Sequence, residues 1–516
     1  MRLGIDFGTT HTVVAYGDRG NYPLVSFLDS AGDAHEWFPS VAAERGAGAE
    51  WRFGFEAQRA AASDAGWTLH RSFKRLLAEA SLEDRERALD LCTRYLAALR
   101  AAIRERSNVT RSAGDEPLEA VIAAPANAHG AQRFLTMEAF RRAGFAVLAM
   151  LNEPSAAGFE YTHRYRNTLN SRRDAIVVYD LGGGTFDVSL IRALGRHHEV
   201  VATAGINRLG GDDFDDTLAR LALGSLGRDV PGLPRGAWAR VCERCRDAKE
   251  ALTPHTRRIS LDLDFIGAGE IAISVADFYA ACAPLVEQTI MGMSPVLRSA
   301  DEEDEDDDAD RAARAEGAAE LAEVAGIYVV GGASALPLIG RALRERFGRR
   351  VHRSPYPFAA TALGLAIAAD AESGFTLQDM LSRHFGVFRE ADGGRAVEFD
   401  PIFTRDVALP APGAPARTLR RVYRAAHNLG HYRFAECSAV DERGIPSGDL
   451  TPLGDIRFPF DPALRLHGNA LHDVPVERRT GGPLVQEEYA VDGSGIVLVT
   501  ISDLETGYAR QFRLGG

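Results

Sequence analysis

The same short motif occurs twice in the chain, and this repeat constrains the fold more than any other feature of the sequence. The first copy, RLGIDFGTTHTVVAYG, spans residues 2–17, and the second, AIVVYDLGGGTFDVSLI, spans residues 175–191. When Asp6 is placed on Asp180, each copy has an apolar strand, an acid, an apolar residue, a glycine turn with threonine, and a second apolar strand. We therefore predict two β-hairpins with an acid near the tip of each, in two related lobes.

The glycine turns predict a binding site for an anion. Glycine lets the backbone turn tightly and brings bare N–H groups close to a ligand, and threonine adds a hydroxyl donor. The turn residues are Gly8, Thr9, Thr10, Gly182, Gly183, Gly184 and Thr185. Two such loops facing each other across a cleft would hold a polyphosphate from both sides, and Asp6 and Asp180 would then lie beside a hydrated Mg²⁺. The alternative for either copy alone is an ordinary hairpin with a glycine turn.

A third glycine-containing segment, GIYVVGGASALPLIGRAL, spans residues 326–343. Its pattern predicts a buried strand, a turn at Gly331 and Gly332, and a helix with Pro337 in the first turn. A strand followed by two glycines and a helix suits the close approach of a nucleotide to the backbone.

Composition limits the class of protein. A chain of 516 residues is too long for one core, and 46% hydrophobic with 25% charged residues is typical of globular proteins. The net charge of −13 argues against a general nucleic-acid-binding protein. Five cysteines do not make a disulfide framework, and the first residues lack the features of a signal peptide. We expect a cytoplasmic protein that binds neither nucleic acid nor membrane.

The three segments, in this order and with these gaps, resemble the phosphate-binding and adenosine-binding motifs of the actin-like ATPases. Further segments resemble signatures of the seventy-kilodalton heat-shock protein (Hsp70, DnaK-like) family. These segments are SFKRLL around Lys74, APANAHGAQR at 124–133, LNEPSAAGFEY at 151–161 and RLGGDDFDD at 208–216. The resemblance implies a two-lobed α/β actin-like ATPase domain with a duplicated ribonuclease H-like fold.

The resemblance also implies roles for individual residues, with ATP or ADP and Mg²⁺ as the bound groups. Asp6 and Asp180 would hold water molecules on Mg²⁺, with Glu153 acting through its own water. Lys74 would neutralise charge on the γ-phosphate, and Asp187 with Thr185 would position the attacking water. The remaining nucleotide-binding residues that the resemblance implies are Gly8, Thr9, Thr10, Gly182, Gly183, Gly184, Lys249, Thr253, Gly331 and Gly332.

The chain departs from the family pattern at the adenine. Glu250 and Ala335 stand where the family has two arginines that sandwich the base, so we expect weaker stacking and reduced base selectivity. His11 stands where asparagine or tyrosine is usual beside the phosphates. Pro125 and Arg133 match a pair that in the family relays the nucleotide state.

Two groups of small residues predict two helices that cross closely at a hinge between lobes. They are Ala156, Ala157 and Gly158, and Ala362, Gly364 and Ala366. The alternative is plain helix packing.

Three other groups of residues are weaker candidates for metal sites. Cys242 and Cys245 form a CxxC pair in a sequence with helical character, which favours a structural pair. His427 and His431 have no third ligand nearby in the sequence. The acidic run at 301–310 lacks the glycine and the spacing of a Ca²⁺ loop, so we predict a solvated loop.

After about residue 370, short strands separated by proline and glycine predict an all-β sandwich. We predict an actin-like domain at 1–370, a linker at 371–388 and a substrate-binding-like β-sandwich at 389–516. The strands reach almost to residue 516, so we expect the β domain to lack the family's helical lid. In the linker, Leu377, Met380 and Leu381 have a spacing that fits a helix as well as an extended strand.

These features predict an ATP-hydrolysing, Hsp70-like chaperone whose nucleotide state switches the binding of unfolded or extended protein segments, with co-chaperones as possible partners. The alternative is a nucleotide-gated interaction protein with negligible hydrolysis and one dedicated protein partner. A small-molecule kinase of the actin fold is a third possibility, but it gives the β domain no role.

Overall fold

The structure is a computed structural model. It describes residues 1–46, 48–63, 66–79, 81, 84–114, 116–165, 169, 173–233, 236–299, 324–405, 407–466 and 468–515. The acidic run at 301–310 lies outside the described residues, so its predicted loop stays a prediction.

The strands are β1 Arg2–Phe7, β2 His11–Tyr16, β3 Phe27–Leu28, β4 Ala34–His35, β5 Phe38–Pro39, β6 Val41–Arg45, β7 Glu50–Phe53, β8 Thr68–Arg71, β9 Glu119–Ala124, β10 Ala146–Asn152, β11 Ala175–Leu181, β12 Phe186–Leu194, β13 His197–Ile206, β14 Arg258–Asp262, β15 Glu270–Ser274, β16 Val324–Val330, β17 Val351–Arg353, β18 Thr376–Gln378, β19 His384–Ala391, β20 Ala396–Phe403, β21 Arg417–Arg424, β22 Leu429–Val440, β23 Pro446–Pro459, β24 Leu484–Val491, β25 Val497–Asp503 and β26 Ala509–Arg513. The α-helices are α1 Phe55–Ser63, α2 Leu76–Glu79, α3 Arg85–Glu105, α4 Thr110–Ala113, α5 Gly130–Arg142, α6 Glu153–Arg164, α7 Gly211–Ser225, α8 Ala237–Glu250, α9 Val275–Arg298, α10 Pro337–Phe347 and α11 Ala360–Ala369.

Residue contacts divide the chain into two units. The first unit comprises Met1–Arg75, Ala98–Asn127 and Leu151–Leu377, and the second comprises Leu76–Ala97, Ala128–Met150 and Gln378–Gly516. The domain boundaries near residues 370 and 388 stay predictions.

The first unit contains the predicted repeat twice as a hairpin. β1 pairs with β2 antiparallel and with β9 parallel. β11 likewise pairs with β12 antiparallel and with β16 parallel, in a sheet ordered β17-β16-β11-β12-β13-β18. The two hairpins are therefore confirmed, and the same local topology around each supports their origin as two related lobes.

Apolar strands and helices bury the sheet of the second hairpin. All seven residues of β11 are buried. This is expected for a strand in a sheet that is covered on both faces. Residues from α7, α8, α9 and α10 join the same core. Pro337 opens α10 as predicted, since a missing N–H costs nothing at the first helical position.

The small residues of α6 and α11 let these helices cross closely. A Cβ built on Gly364 would stand 1.7 Å from the carbonyl oxygen of Ala156, a distance that no larger residue could tolerate. α11 approaches β1 in the same way, since a Cβ on Gly4 would stand 2.2 Å from the backbone nitrogen of Ala366. The close crossing is thus confirmed, and its action as a hinge stays a prediction.

The second unit contains the predicted all-β fold. Four strands form a sheet ordered β20-β19-β22-β23, and four form a sheet ordered β21-β24-β25-β26. The two sheets share one apolar core, to which Ala131 of α5 also belongs. Along β24 and β25 buried residues alternate with half-buried ones, as expected for strands with one face in a sandwich.

The predicted linker has extended segments and no helix among its described residues. β18 extends the sheet of the second hairpin, and Met380 forms an antiparallel bridge with Ala408. Of the two spacings that the sequence allowed, the structure has the extended one.

Within the described residues, no helix is both long enough and apolar enough to cross a membrane.

Candidate active site

The two hairpin tips and the turn of the third segment line one cavity in the first unit. Its volume is about 530 Å³, which is in the range of small-molecule sites. The predicted site residues that line it are Asp6, Gly8, Thr9, Thr10, Lys74, Glu153, Asp180, Gly182, Gly183, Thr185, Lys249, Gly331 and Gly332. Residues separated by more than 300 positions in the sequence are therefore brought to one place.

The two glycine turns face each other. A Cβ built on Gly183 would stand 2.6 Å from Oγ1 of Thr10, and one on Gly184 would stand 3.1 Å from Oγ1 of Thr9. The second loop therefore presents its backbone to the threonines of the first. Donors on both sides of a narrow gap are the arrangement that a chain of phosphates requires.

Gly331 joins the third segment to the second hairpin. Its φ of +87° lies in the left-handed region, and a Cβ there would stand 2.4 Å from Oδ1 of Asp180. Only glycine combines this conformation with this contact. The turn after β16 therefore lies directly against the acid at the tip of the second hairpin.

Several carboxylates are crowded at the cavity. Burial, followed by the charge of Glu153, raises the pKa of Asp6 to about 7. Burial and the carboxylates of Glu153 and Asp187 raise the pKa of Asp180 well above its ordinary value. An excess of buried acid is stabilised by a cation.

Lys74 supplies the positive charge nearest to these acids. It lies in a 3₁₀ turn, Phe73–Arg75, and the residue is 6% exposed. Its Nζ donates a hydrogen bond of 2.9 Å to Oε1 of Glu153. Burial opposes its charge, but Glu153 and Asp6 outweigh this effect and raise the pKa of Lys74. The lysine therefore stays protonated at the cavity.

Asp187 is buried next to Asp180 and is not among the residues that line the cavity. In the hairpin register it stands opposite Asp180, and its Oδ1 accepts a hydrogen bond of 3.2 Å from the backbone N–H of Asn127. Burial, then the charge of Glu153, raises the pKa of Asp187 to about 7, although a hydrogen bond with Thr185 opposes the shift. A carboxyl group with such a pKa can accept or release a proton near neutral pH.

One end of α8 carries a buried network of charges. Nζ of Lys249 lies 2.7 Å from Oδ1 of Asp215 and donates to the carbonyl oxygen of Gly211 over 2.8 Å. Arg246 contacts Asp215 and Asp212 of α7. The network fixes α7 against α8 and holds the lysine at the cavity.

Gly184 and Thr253 do not line the cavity. The carbonyl oxygen of Gly184 accepts a hydrogen bond of 3.0 Å from Nη2 of Arg75. Thr253 is exposed, and its hydroxyl lies 3.0 Å from that of Thr256. Glu250 and Ala335 do line the cavity, together with Leu252 and Phe358.

A stack of aromatic rings in the cavity wall was missed by the sequence reasoning. The ring of Trp37 stacks on His11 with centroids 4.8 Å apart and on His35 with centroids 4.6 Å apart. Burial, then the charges of Arg246 and Arg71, lowers the pKa of His11 to about 4, so its ring is neutral at physiological pH. The spacing of His35 and Trp37, which places both on one face of an extended segment, was the available signal.

Among the residues that the structure describes, no group of three His, Cys, Asp or Glu side chains is arranged to hold a metal ion. Cys242 and Cys245 lie on α8, as their helical sequence predicts. His427 contacts Glu390, whereas His431 contacts Asp455. The two histidines thus have separate carboxylate partners.

Comparison with known proteins identifies the family. The family model described as Hsp70 protein matches residues 97–387. A chaperone protein HscA homolog of Burkholderia ambifaria is 32% identical over 483 residues, which cover 86% of this chain and 72% of the relative. The HscA homolog of Methylobacillus flagellatus is 31% identical over 484 residues, covering 86% and 71%. The chain belongs to the Hsp70 family.

As an Hsp70 protein, the chain has the two-lobed actin-like ATPase fold, followed here by the β-sandwich. It is an ATP-dependent chaperone and an ATPase. Members of the family bind ATP or ADP with Mg²⁺, and they bind substrate proteins and co-chaperones. The resemblance inferred from the sequence motifs is thereby confirmed.

Proposed function

We propose that this Hsp70 protein binds the phosphates of ATP between its two glycine turns. The opposition of Gly183 and Thr10 across a narrow gap supports this more than any other observation. The backbone N–H groups of the turns and the hydroxyls of Thr9, Thr10 and Thr185 supply the donors, and Gly332 adds backbone from the third segment. A side chain larger than glycine at position 183 would fill the gap.

The acid cluster suits Mg²⁺ held through water. Asp6 and Asp180 carry the carboxylates, and Glu153 acts through a further water. The raised pKa values of Asp6 and Asp180 support this assignment, because they indicate negative charge that the protein alone does not neutralise. When bound, Mg²⁺ neutralises phosphate charge and orients the oxygens that react.

Hydrolysis depends on three residues of this chain. Lys74 places its ammonium group where charge develops on the γ-phosphate, and its contact with Glu153 keeps the side chain directed into the cavity. Asp187 accepts a hydrogen bond from the attacking water and takes up the proton of that water, while the hydroxyl of Thr185 orients the water. The pKa of Asp187 near 7 suits such a role.

The adenine end is less selective than the phosphate end. Lys249 contributes a polar group to the adenosine, and Gly331 with Gly332 allows the nucleotide to approach the protein backbone closely, whereas Thr253 lies outside the cavity. Neither Glu250 nor Ala335 can stack on the base as an arginine would. The protein should therefore accept another purine triphosphate at a smaller loss of affinity than an arginine-bearing site would show.

The β-sandwich binds unfolded or extended protein segments, and the nucleotide state changes their affinity. Co-chaperones assist this cycle, and the cytoplasm is its location. The extended linker, with β18 paired into the first unit, supports a route by which the nucleotide affects the sandwich.

Steady-state ATPase of the full chain, with and without an unfolded protein, tests this function. We expect turnover to require Mg²⁺ and to rise several-fold when an unfolded protein is added, because binding and hydrolysis are coupled. Native globular protein at the same concentration is the control. Turnover that is independent of both Mg²⁺ and unfolded protein would contradict the proposal.

A further inference from the structure

In the second unit, an exposed segment pairs with the connection between the two sheets of the sandwich. The connection, residues 425–428, joins β21 to β22. The segment, residues 474–479, lies between β23 and β24, and we call it the strap. The backbone N–H of Asn428 donates to the carbonyl oxygen of Glu477 over 3.0 Å, and that of Arg479 donates to the carbonyl oxygen of Ala426 over 2.8 Å. His427 and Arg478 form an antiparallel bridge between these two bonds. The strap thus pairs with the connection as a neighbouring strand would, over one antiparallel bridge.

Asn428 holds the strap with its side chain as well. Its Oδ1 accepts a hydrogen bond of 2.8 Å from the N–H of Glu477, and its Nδ2 donates one of 3.1 Å to the carbonyl oxygen of Pro475. Asn428 is 4% exposed, and its carbonyl oxygen accepts hydrogen bonds from Phe460 and Asp461. If the strap left, Asn428 would lose three hydrogen bonds, two of its side-chain amide and one of its backbone N–H, and buried polar groups without partners are costly. Another main chain in the same place would restore them.

The strap has no buried apolar anchor. Pro475 to Arg479 are exposed, and Val476 has 41% of its surface exposed, so the strap contributes no buried apolar side chain. Segments with exposed hydrogen bonds and few apolar contacts open at low cost. Backbone pairing of this kind is also the way in which extended peptides bind to sheets.

Two side chains of the strap have charged partners, since Nη1 of Arg479 lies 2.5 Å from Oδ2 of Asp461 and Arg478 has a carboxylate partner of its own. Arg478 forms an ion pair with Glu390 near the end of β19, and Nε2 of His427 lies 3.2 Å from Oε2 of the same carboxylate. Glu390 therefore faces the middle of the paired segment. A ligand with a neutral or acidic residue in this position would leave the carboxylate without its cation.

We propose that the strap is an internal competitor for a polypeptide-binding site formed by residues 425–428 and Glu390, and that the external ligand is an extended segment carrying arginine or lysine at the place of Arg478. This inference rests on the proposed binding of protein segments by the sandwich. It adds that the strap has to leave before a segment binds, and which side chain that segment must carry.

Fluorescence anisotropy with a labelled peptide of the sequence HDVPVERRTGGP, residues 472–483 of this chain, tests the inference on the full protein. Replacing residues 475–479 with glycine and serine should tighten binding about tenfold or more, because the site is then free for a larger fraction of the time. R478A should tighten it only about two- to fivefold, since a partly exposed ion pair contributes little. R443A, in the exposed turn between β22 and β23, is the matched control and should change nothing.

Charge selection is tested with the same peptide carrying glutamate at the position of Arg478. It should bind several-fold more weakly than the arginine peptide, and E390Q in the protein should remove the difference. Melting curves establish that each variant is folded, and if the glycine-serine variant is unfolded, R478A and E390Q decide. Equal affinity of the wild type, the strap variants and R443A, or no peptide binding by any of them, would overturn the inference. The Mg²⁺-dependent ATPase measured without unfolded protein does not require the strap to leave, and stimulation of this activity by unfolded protein together with equal peptide affinities would contradict the inference and leave the proposed function standing.

Discussion

The two hairpins share one motif but differ in the residue that faces the acid at the tip. In the first hairpin Asp6 is paired in register with Val13, whereas in the second Asp180 is paired with Asp187. The backbone pattern, the glycine turn and the position of the first acid are the same in both. The second hairpin therefore carries one additional carboxyl group, with a pKa of about 7, next to the place where phosphate would lie.

This difference separates binding from chemistry. Two similar turns suffice to hold a polyphosphate from both sides, and this function is shared equally. Activation of water needs a group that can take a proton near neutral pH, and among the hairpin acids only Asp187 has no counterpart in the other copy. The first lobe contributes Lys74 instead, which comes from a segment outside the hairpin.

D187N should give the largest effect, because it removes the feature that the first hairpin lacks. We expect turnover to fall by about 10²- to 10⁴-fold, the usual contribution of a positioned acid or base. Affinity for ATP should change little, since Asp187 does not line the cavity. Single-turnover hydrolysis and equilibrium nucleotide binding measure the two quantities. Turnover within threefold of the wild type would mean that the asymmetry has no chemical role.

K74A should reduce hydrolysis by about a hundredfold while ATP affinity stays within about tenfold, as expected for a charge that acts mainly in the transition state. K74R is the matched variant, since it keeps the positive charge but changes its geometry. A loss of affinity as large as the loss of turnover would assign Lys74 to ground-state binding. The first lobe would then contribute to binding alone.

Features with a local cause could be predicted from the sequence. The hairpins follow from alternating apolar residues around a glycine turn, and α10 begins at Pro337 because proline favours the first helical position. The close crossing of α6 and α11 followed from small residues such as Gly364. In each case a few neighbouring residues determine the geometry.

Contacts between distant segments that carry no recognisable motif could not be predicted. The stack of His11, Trp37 and His35 needs the tip of the first hairpin to meet another segment at a set distance. The buried contacts of Arg246 with α7 and the pairing of Asn428 with the strap have the same cause. The spacing of apolar residues along a sequence does not indicate which two surface segments of the folded chain will be in contact.

Gly8 and Gly182 occupy equivalent positions of the two copies. Replacing each with alanine should nevertheless change the stability of the protein by different amounts. A Cβ on Gly8 would stand 2.3 Å from the carbonyl oxygen of His11, which is backbone and cannot easily move. A Cβ on Gly182 would stand 3.5 Å from the carbonyl oxygen of Thr185, an ordinary contact. We expect G8A to lower the free energy of unfolding by about 1–3 kcal/mol and G182A to change it by less than about 0.5 kcal/mol. Urea denaturation of both variants measures the difference, and equal destabilisation would show that the two turns are under the same constraint.

The smallest expected effect on the nucleotide site concerns the acids that the two hairpins share. D6N and D180N each remove one full charge from the water shell of Mg²⁺, and each should weaken Mg²⁺-dependent ATP binding by about tenfold, or about 1.4 kcal/mol. Isothermal titration of ATP at a series of Mg²⁺ concentrations measures this loss, and ATP binding in EDTA is the control that should respond little.

Similar losses in the two variants are expected because the acids occupy the same position of the same motif. A loss in D180N alone would break the symmetry of binding as well, since Asp180 has Asp187 and Gly331 beside it and Asp6 does not. Unchanged Mg²⁺ dependence in both variants would contradict the model of two opposed turns around one metal ion.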